Sequence, residues 1–207
     1  HGKPTTTRLV ATILLETGRD PSLLVGGVAE NFAGSFREGA GPHFVVEGDE
    51  YDTAFFDKTP KFLHYGARTA VITSVEFDHA DIYRDLDHVK ESFRRLVAGM
   101  PVDGLLVAAL DHPAVRDVVD KAPCRVVGYG VDEVRDDVGG PGARRDLLPG
   151  WRARDLESTP EGTRFSVLRD GREVARALVP LHGRHNVENA LAAVAVAEAL
   201  GVPAAEA

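Results

Sequence analysis

The first residues of the chain, HGKPTTT, combine a glycine, a lysine and a run of hydroxyl side chains. Phosphate-binding loops use this set: glycine lets backbone N–H groups approach the anion, lysine reaches the terminal phosphates, and a hydroxyl ligates magnesium. Gly2, Lys3 and Thr5 are therefore candidate nucleotide-binding residues, and Lys3 is also a candidate catalytic residue. Because only half of the usual loop pattern is present, a plain helix start is an alternative interpretation.

Pro4 follows Lys3, at the position where the loop pattern has the hydroxyl that ligates magnesium. Proline is compatible with the first turn of a helix because its missing N–H is not needed there. We therefore expect the helix to form while this ligand is lost. Thr5 would replace it only with a shifted backbone.

Acidic residues follow a short apolar run in the segment HFVVEGDEYD. Magnesium prefers oxygen ligands and is usually held by one or two carboxylates together with substrate phosphates. Glu47, directly after the apolar run, is therefore a candidate metal ligand and catalytic residue. A solvated acidic turn is the alternative.

A second apolar run ends in the segment EFDHADIY, which contains His79 between two aspartates. A neutral histidine nitrogen can ligate a metal, with a neighbouring carboxylate that orients the ring. His79 is therefore a second candidate metal ligand and catalytic residue, because paired magnesium ions stabilise charge in phosphoryl transfer. A structural histidine is the alternative.

The segment GRHNVENA presents Asn186 and Asn189 at the start of a predicted helix. An asparagine amide offers a donor and an acceptor that match the edge of adenine. Both residues are therefore candidates for binding a nucleotide base. Simple capping of the helix by Asn186 is the alternative.

The spacing of apolar residues predicts the elements that position these side chains. Helical spacing predicts one helix ending near Gly18, a second over residues 86–97, and an Ala-rich helix ending near Gly201. The runs HFVV, TAVI, GLLVAAL and CRVVGYG predict buried parallel strands, with the site at their carboxyl ends. Asp170 and Gly171 predict a hairpin. The predicted fold class is α/β: a mostly parallel sheet with helices on both faces, of P-loop type, plus a small antiparallel sheet.

Composition narrows the function classes. The 207 residues include 24 basic and 32 acidic side chains, and the net charge of −8 argues against a nucleic-acid partner. No apolar run is long enough to cross a membrane. Cys124 is the single cysteine and is assigned to core packing, which agrees with a reducing compartment, so we expect a cytoplasmic protein. The sequence leaves the oligomeric state open.

The order of these motifs resembles the ATP-binding central domain of the Mur ligase superfamily. That family has a glycine loop reading GTHGKTTT, a strand ending in glutamate, a second strand ending in an Asp-His pair, and a late HNxxN helix. The resemblance covers residues 1–207 as one such domain, and it implies that the N-terminal UDP-sugar domain and the C-terminal domain lie outside the chain. Within the superfamily, GDEYDTAFFDKTPKFLHY is most similar to the branch that recycles cell-wall peptides.

The resemblance implies an ATP-dependent, magnesium-dependent ligase that forms a carbon–nitrogen bond through an acyl phosphate. Its substrates would be UDP-N-acetylmuramate and a cell-wall peptide or amino acid. Lys3 would bind the terminal phosphates, Glu47 and His79 one magnesium ion each, and Asn186 with Asn189 the adenine. The resemblance also implies that this domain alone would not turn over.

Two alternatives stay open at this stage. In the first, the chain belongs to the alanine-adding branch or to another Mur-type ligase. This alternative stays open because the residues that select the incoming amine are expected outside this domain. Otherwise, it would be a nucleotide-binding or structural domain in which Pro4, at the position of the family's magnesium-ligating threonine, has impaired catalysis.

Overall fold

The computed structural model describes residues 2–29, 34–77, 82–131 and 149–207. Its contacts group the chain into two compact units. The first comprises residues 1–47, 130–133 and 150–207, and the second comprises residues 48–129 and 134–149. The single domain over residues 1–207 stays a prediction from the sequence.

In the first unit, a helix packs on a small three-stranded sheet. The sheet has the order β2-β1-β3, with β1 parallel to β3 and antiparallel to β2. Ala11 of the helix packs against Leu23 and Val25 of the central strand, and all three are buried. The elements are α1 (Lys3–Glu16), β1 (Ser22–Ala29), β2 (Gly34–Arg37) and β3 (Phe44–Val46).

The first unit also contains an antiparallel meander and the last helix, made of β7 (Pro149–Thr159), β8 (Gly162–Arg169), β9 (Arg172–Val179) and α4 (Arg184–Ala199). Asp170 and Gly171 join β8 to β9, and both have positive φ angles, of 50° and 79°. Two-residue hairpin turns favour this conformation because it matches the twist of the strands. The hairpin predicted at Asp170 and Gly171 is confirmed.

Helices α1 and α4 run side by side in the same direction. Near their N-termini, the Thr6 hydroxyl donates to Asn189 Oδ1 at 3.1 Å. Beyond their C-termini, Arg19 donates to the carbonyl oxygens of Leu200 and Gly201 at 3.0 and 2.8 Å. The N-termini of both helices, which carry partial positive charge, therefore lie at the same end of the unit.

The second unit contains a parallel sheet that packs against two helices. Strands β4, β5 and β6 pair in parallel, and alternate residues such as Ile72 and Leu106 enter a buried cluster with α2 and α3. Asp85 caps α2 by accepting from the His88 N–H at 2.8 Å. The elements are β4 (Thr69–Ile72), α2 (Leu86–Ala98), β5 (Leu105–Ala109), α3 (Pro113–Val119) and β6 (Arg125–Val131).

The predicted α/β class, with parallel strands, helices and an antiparallel sheet, is confirmed. Each of the four apolar runs contains a strand, and each of the three predicted helices is present. The sequence analysis did not predict β1, β2 or α3. In β1, the glycine pair 26–27 interrupts the apolar run, and α3 is too short for a clear helical period. Within the described ranges, no helix has the length and apolar character needed to cross a bilayer.

Candidate nucleotide site

Helix α1 begins after a glycine and has no side-chain cap. Gly2 precedes the helix with a φ of 96°, a left-handed conformation that favours glycine. Its carbonyl accepts from the Thr6 N–H at 2.8 Å, and no side chain caps the helix at Gly2. The N–H groups of a first helical turn have no partner within the helix, so an anion can accept from them.

Lys3 begins the helix, and Pro4 lies in its first turn, as the sequence predicted. Lys3, Pro4 and Thr5 are partly buried, whereas Thr6 and Thr7 are buried. The Thr7 hydroxyl donates to the Lys3 carbonyl at 2.8 Å, within the helix. Lys3 and Thr5, which are predicted to bind nucleotide, are therefore partly accessible to a ligand.

Glu47 directly follows β3, and its carboxylate is fixed by the backbone of β1. The Gly26 N–H donates to Glu47 Oε2 at 2.7 Å. A Cβ atom on Gly26 would lie 3.2 Å from that oxygen, so glycine leaves room for the carboxylate. This contact ties Glu47 to the neighbouring strand, which a merely solvated acidic turn would not require.

The end of β1 that holds Glu47 lies beside the N-terminal half of α1. Arg8 Nη2 is 3.8 Å from the position that a Cβ atom on Gly27 would take. Gly26, which binds Glu47, is the adjacent residue. The Arg8 side chain therefore reaches the part of β1 that holds Glu47.

Two other acids of the same sequence stretch bind nearby lysines. Asp49 Oδ2 is 2.8 Å from Lys61 Nζ, and Asp52 Oδ2 is 2.7 Å from Lys58 Nζ. The hydrogen bond that Lys61 donates to Asp49 raises the pKa of Lys61 above its usual value. Glu47 differs from these two acids, because its described contact is with the Gly26 N–H of β1 and not with a lysine.

Asn186 and Asn189 lie one turn apart on α4 and form a hydrogen-bonded series. Asn189 Oδ1 accepts from the Thr6 hydroxyl, and Asn189 Nδ2 lies 3.4 Å from Asn186 Oδ1. Asn186 Nδ2 in turn donates to the His182 carbonyl at 2.8 Å. Asn189 is only 4% exposed, whereas Asn186 is partly exposed.

The alternative role of Asn186 as a helix cap is not observed. Helix α4 begins at Arg184, and Gly183 occupies the capping position without a side-chain hydrogen bond. Asn186 is therefore already inside the helix. Its amide is directed back towards His182, at the start of the segment.

His79 lies outside the described residues. Within the described ranges, no group of three or more His, Cys, Asp or Glu side chains could hold a metal ion. A single carboxylate together with substrate phosphates is a usual set of magnesium ligands, so Glu47 stays a candidate metal ligand.

Two residues of the site were missed by the sequence analysis. Thr6 is buried and binds Asn189, yet it is one of three consecutive threonines that the sequence does not distinguish. Gly26 could have been noticed, because a glycine inside a strand often marks a close approach of another group. Here that group is the carboxylate of Glu47.

Cys124, assigned to core packing from the sequence, packs against the buried cluster of the second unit. Burial raises the pKa of its thiol above the usual value. A raised pKa disfavours the reactive thiolate, which agrees with a packing role.

Comparison with known proteins identifies the family. A family model described as the Mur ligase middle domain matches residues 1–197. The UDP-N-acetylmuramate–L-alanine ligase of Chlorobium phaeobacteroides is 36% identical over 203 residues, which are 98% of this chain and 39% of that protein. The UDP-N-acetylmuramate–L-alanyl-gamma-D-glutamyl-meso-2,6-diaminoheptandioate ligase of Escherichia coli is 36% identical over 207 residues, which are 100% of this chain and 42% of that protein.

A solved structure agrees with these relatives. The UDP-N-acetylmuramate:L-alanyl-gamma-D-glutamyl-meso-diaminopimelate ligase from Neisseria meningitides matches with a TM-score of 0.82 and 39% identity. The match covers 100% of this chain and 61% of that chain. This chain spans only about 40% of the length of the two curated relatives above.

Proposed function

Because the chain belongs to the Mur ligase family through its middle domain, we propose that it is the ATP-binding part of a peptide ligase. In this proposal, the γ-phosphoryl group of ATP passes to the lactyl carboxylate of UDP-N-acetylmuramate and gives an acyl phosphate. The amine of an amino acid or peptide then displaces phosphate and forms the new amide bond. Such a protein acts on cytoplasmic nucleotides, so we also propose a cytoplasmic location.

One observation carries the proposal: Thr6 binds Asn189 directly, so the start of α1 and the Asn-containing turn of α4 are adjacent. A nucleotide needs a phosphate site and a base site within one molecule's reach. The two motifs are 183 positions apart in the sequence, and their contact supports a common ligand. Without this contact, each motif alone would be weak evidence.

Each residue has a role that its position supports. Gly2 and Thr5 would present the first turn of α1 to the phosphates, and Lys3 would neutralise the charge that develops on them during transfer. Asn186, the more exposed amide, would bind the adenine edge together with Asn189. No side-chain nucleophile is required, because phosphoryl transfer depends mainly on positioning and charge neutralisation.

Magnesium is proposed as the accompanying ion, with Glu47 as the ligand that the described residues offer and His79 as the second ligand inferred from the resemblance. When bound, it would neutralise charge on the phosphate oxygens. The Gly26 N–H fixes one carboxylate oxygen of Glu47, which would limit the rotation of the carboxylate before the ion binds.

The incoming substrate is the finer part of the proposal. We favour the peptide-recycling activity, in which L-Ala-γ-D-Glu-meso-diaminopimelate is joined to UDP-N-acetylmuramate, because the solved structure with 39% identity and a TM-score of 0.82 carries that name. The two curated relatives are both 36% identical and differ in their named substrate, so L-alanine addition is the competing assignment. Supplying the whole protein with each amine separately, and measuring phosphate release, distinguishes the two.

Nucleotide binding is the first test of the proposal. Calorimetric titration of the chain with ATP should show binding that magnesium strengthens, and Lys3→Ala should weaken it about 10- to 100-fold through loss of a charged hydrogen bond. Lys121→Ala is the matched control, because Lys121 is an exposed lysine in a turn. Equal binding by both variants would contradict the role of Lys3.

Pro4 favours one second candidate, a nucleotide-binding domain with impaired catalysis, since it removes the hydroxyl next to Lys3. Pro4→Thr restores that hydroxyl at the same helical position. Unchanged phosphate release by the whole protein would show that Pro4 is compatible with turnover, and recovery from no activity would support impairment. Thr5→Val is the companion variant, because it asks whether Thr5 has taken over the missing role.

A further inference from the structure

The amide of Asn189 links the two halves of the candidate nucleotide site. Its oxygen accepts from the Thr6 hydroxyl in α1, and its nitrogen faces Asn186 Oδ1 within α4. The series continues through Asn186 to the His182 carbonyl. A continuous set of hydrogen bonds therefore joins the first turn of α1 to the N-terminal end of α4.

Asn189 also contacts the loop residue that precedes α1. A Cβ atom placed on Gly2 would lie 2.5 Å from Asn189 Oδ1, closer than real Cβ atoms approach. Glycine at this position therefore lets the loop backbone lie directly against the amide. The same oxygen thus limits both the position of the loop and the position of Thr6.

The burial of Asn189 gives this contact its importance. Asn189 is 4% exposed and Thr6 is also 4% exposed, so the bond is shielded from competing water. A buried polar group that loses its partner is costly, which holds the pair in one arrangement. Among the described residues, the neighbouring Thr7 hydroxyl donates within its own helix, to the Lys3 carbonyl, and not to α4.

We propose that Asn189 is a positioning residue that holds the phosphate-binding turn of α1 in register with the base-binding turn of α4. This inference rests on the proposed nucleotide function, but its central claim is a coupling within the chain itself. Asn189 acts through Gly2 and Thr6 on the phosphates, in addition to any contact with the base. Loss of the coupling would loosen the loop even without nucleotide.

Amide hydrogen exchange of the nucleotide-free chain, measured residue by residue, tests the coupling. Thr6→Val and Asn189→Ala should each speed the exchange of the amide at position 6, which donates to the Gly2 carbonyl, by about three- to tenfold. The double variant should be no faster than the faster single variant, because both remove the same bond. Thr6→Ser keeps the hydroxyl and should restore the wild-type rate.

Thr7→Val is the control variant for this experiment. Thr7→Val removes a neighbouring buried hydroxyl that has no contact with Asn189 in the described structure, so it should change exchange less than Thr6→Val. A uniform increase along all of α1 and α4 would indicate general destabilisation and would overturn the proposal. Unchanged exchange in Thr6→Val would overturn it as well.

Nucleotide titration separates this inference from the proposed function. Asn189→Ala should weaken binding of both magnesium–ADP and magnesium–tripolyphosphate, because tripolyphosphate has no base and reports only the phosphate loop. Weakening of ADP alone would assign Asn189 to the base and overturn the positioning role. If the wild-type chain binds neither ligand, the proposed function fails for this chain, and the exchange experiment alone decides the coupling.

Discussion

The helices of the two compact units pack in different ways. In the first unit, Thr6 of α1 binds Asn189 of α4, and the other buried side chains of α4 are alanine, valine and leucine. In the second unit, α2 and α3 share a cluster of larger apolar side chains with Leu106 and Ile72. The charged contacts of these two helices, such as the pair between Arg94 and Asp117, lie at the surface.

This difference indicates that the two kinds of contact contribute differently to the stability of the fold and to the geometry of the site. Burial of large apolar side chains stabilises strongly and depends little on orientation. A single buried hydrogen bond contributes less, but it fixes the relative position of its partners. The first turn of α1 and Asn189 are joined by such a bond, whereas the apolar cluster of the second unit stabilises the fold.

Removal of a large side chain from the apolar cluster should give the largest change in stability. Leu106 is 0% exposed. We expect Leu106→Ala to lower the free energy of unfolding by about 2–5 kcal/mol, because it loses apolar burial and leaves a cavity. Urea unfolding followed by circular dichroism measures this. Val102→Ala, at a position that is 79% exposed, should change stability by less than about 0.5 kcal/mol.

Two glycines test whether nucleotide binding requires the close approach of Gly2 to Asn189. Gly2 and Gly18 both have positive φ angles, of 96° and 72°, but a Cβ atom would meet Asn189 only at Gly2. Gly18→Ala should therefore lower stability by about 1–2 kcal/mol and leave ADP affinity unchanged. Gly2→Ala should weaken ADP binding by more than about tenfold, since it also displaces the loop. Wild-type ADP affinity in both variants would show that the contact is dispensable.

Glu47→Gln asks whether the carboxylate acts through its charge. Glutamine keeps an oxygen that can accept from the Gly26 N–H, so the local structure should persist. The gain in ATP affinity on adding magnesium should fall about tenfold, because a neutral amide is a poorer magnesium ligand. Asp52→Asn removes a charge that Lys58 already binds and should leave that gain unchanged. An undiminished magnesium effect in Glu47→Gln would remove Glu47 from the site.

The smallest effect is expected at the surface of the second unit. Hydrogen bonds from Lys90 and Arg94 lower the pKa of Asp117 below its ordinary value of 3.8. A lowered folded-state pKa stabilises the fold above that ordinary value, and the contribution is lost as pH falls through the folded-state pKa. Asp117→Asn should therefore cost about 0.2–1 kcal/mol at pH 7, and the difference from wild type should shrink under acid.

Unfolding curves at pH 7 and pH 3 measure the Asp117 effect. Asp87→Asn is the control, because the Asp87 carboxylate is 90% exposed and lies 4.0 Å from Lys90. It should change stability less than Asp117→Asn does. A difference that grows as the pH falls would contradict the stabilising role of the Asp117 carboxylate.

Much of the fold could be predicted from local patterns. The helical spacing after Lys3 predicted α1, and the turn residues Asp170 and Gly171 predicted the hairpin between β8 and β9. Strand β1 was missed because Gly26 and Gly27 weaken its apolar pattern, although Gly26 is what leaves room for the Glu47 carboxylate. The glycine that made the strand hard to predict is therefore part of the candidate site.

The candidate site was predicted residue by residue but not as an arrangement. The roles of Lys3, Glu47 and His79 in binding remain predictions, and His79 lies outside the described residues. The sequence treated Asn186 and Asn189 as equivalent amides. The structure distinguishes them, because Asn189 is buried against Thr6 while Asn186 is partly exposed.

Local sequence patterns predicted most of the helices and strands, because periodicity and turn residues act over short distances along the chain. The order of the motifs indicated the family and the side chains available for chemistry. The tertiary structure decided which of these side chains meet. Thr6 and Asn189 are 183 positions apart, and only the packing of α1 against α4 brings them within hydrogen-bonding distance. The same packing places both helix N-termini at one end of the unit. Local patterns could not predict this arrangement, because contacts between distant residues depend on how the whole chain buries its surface.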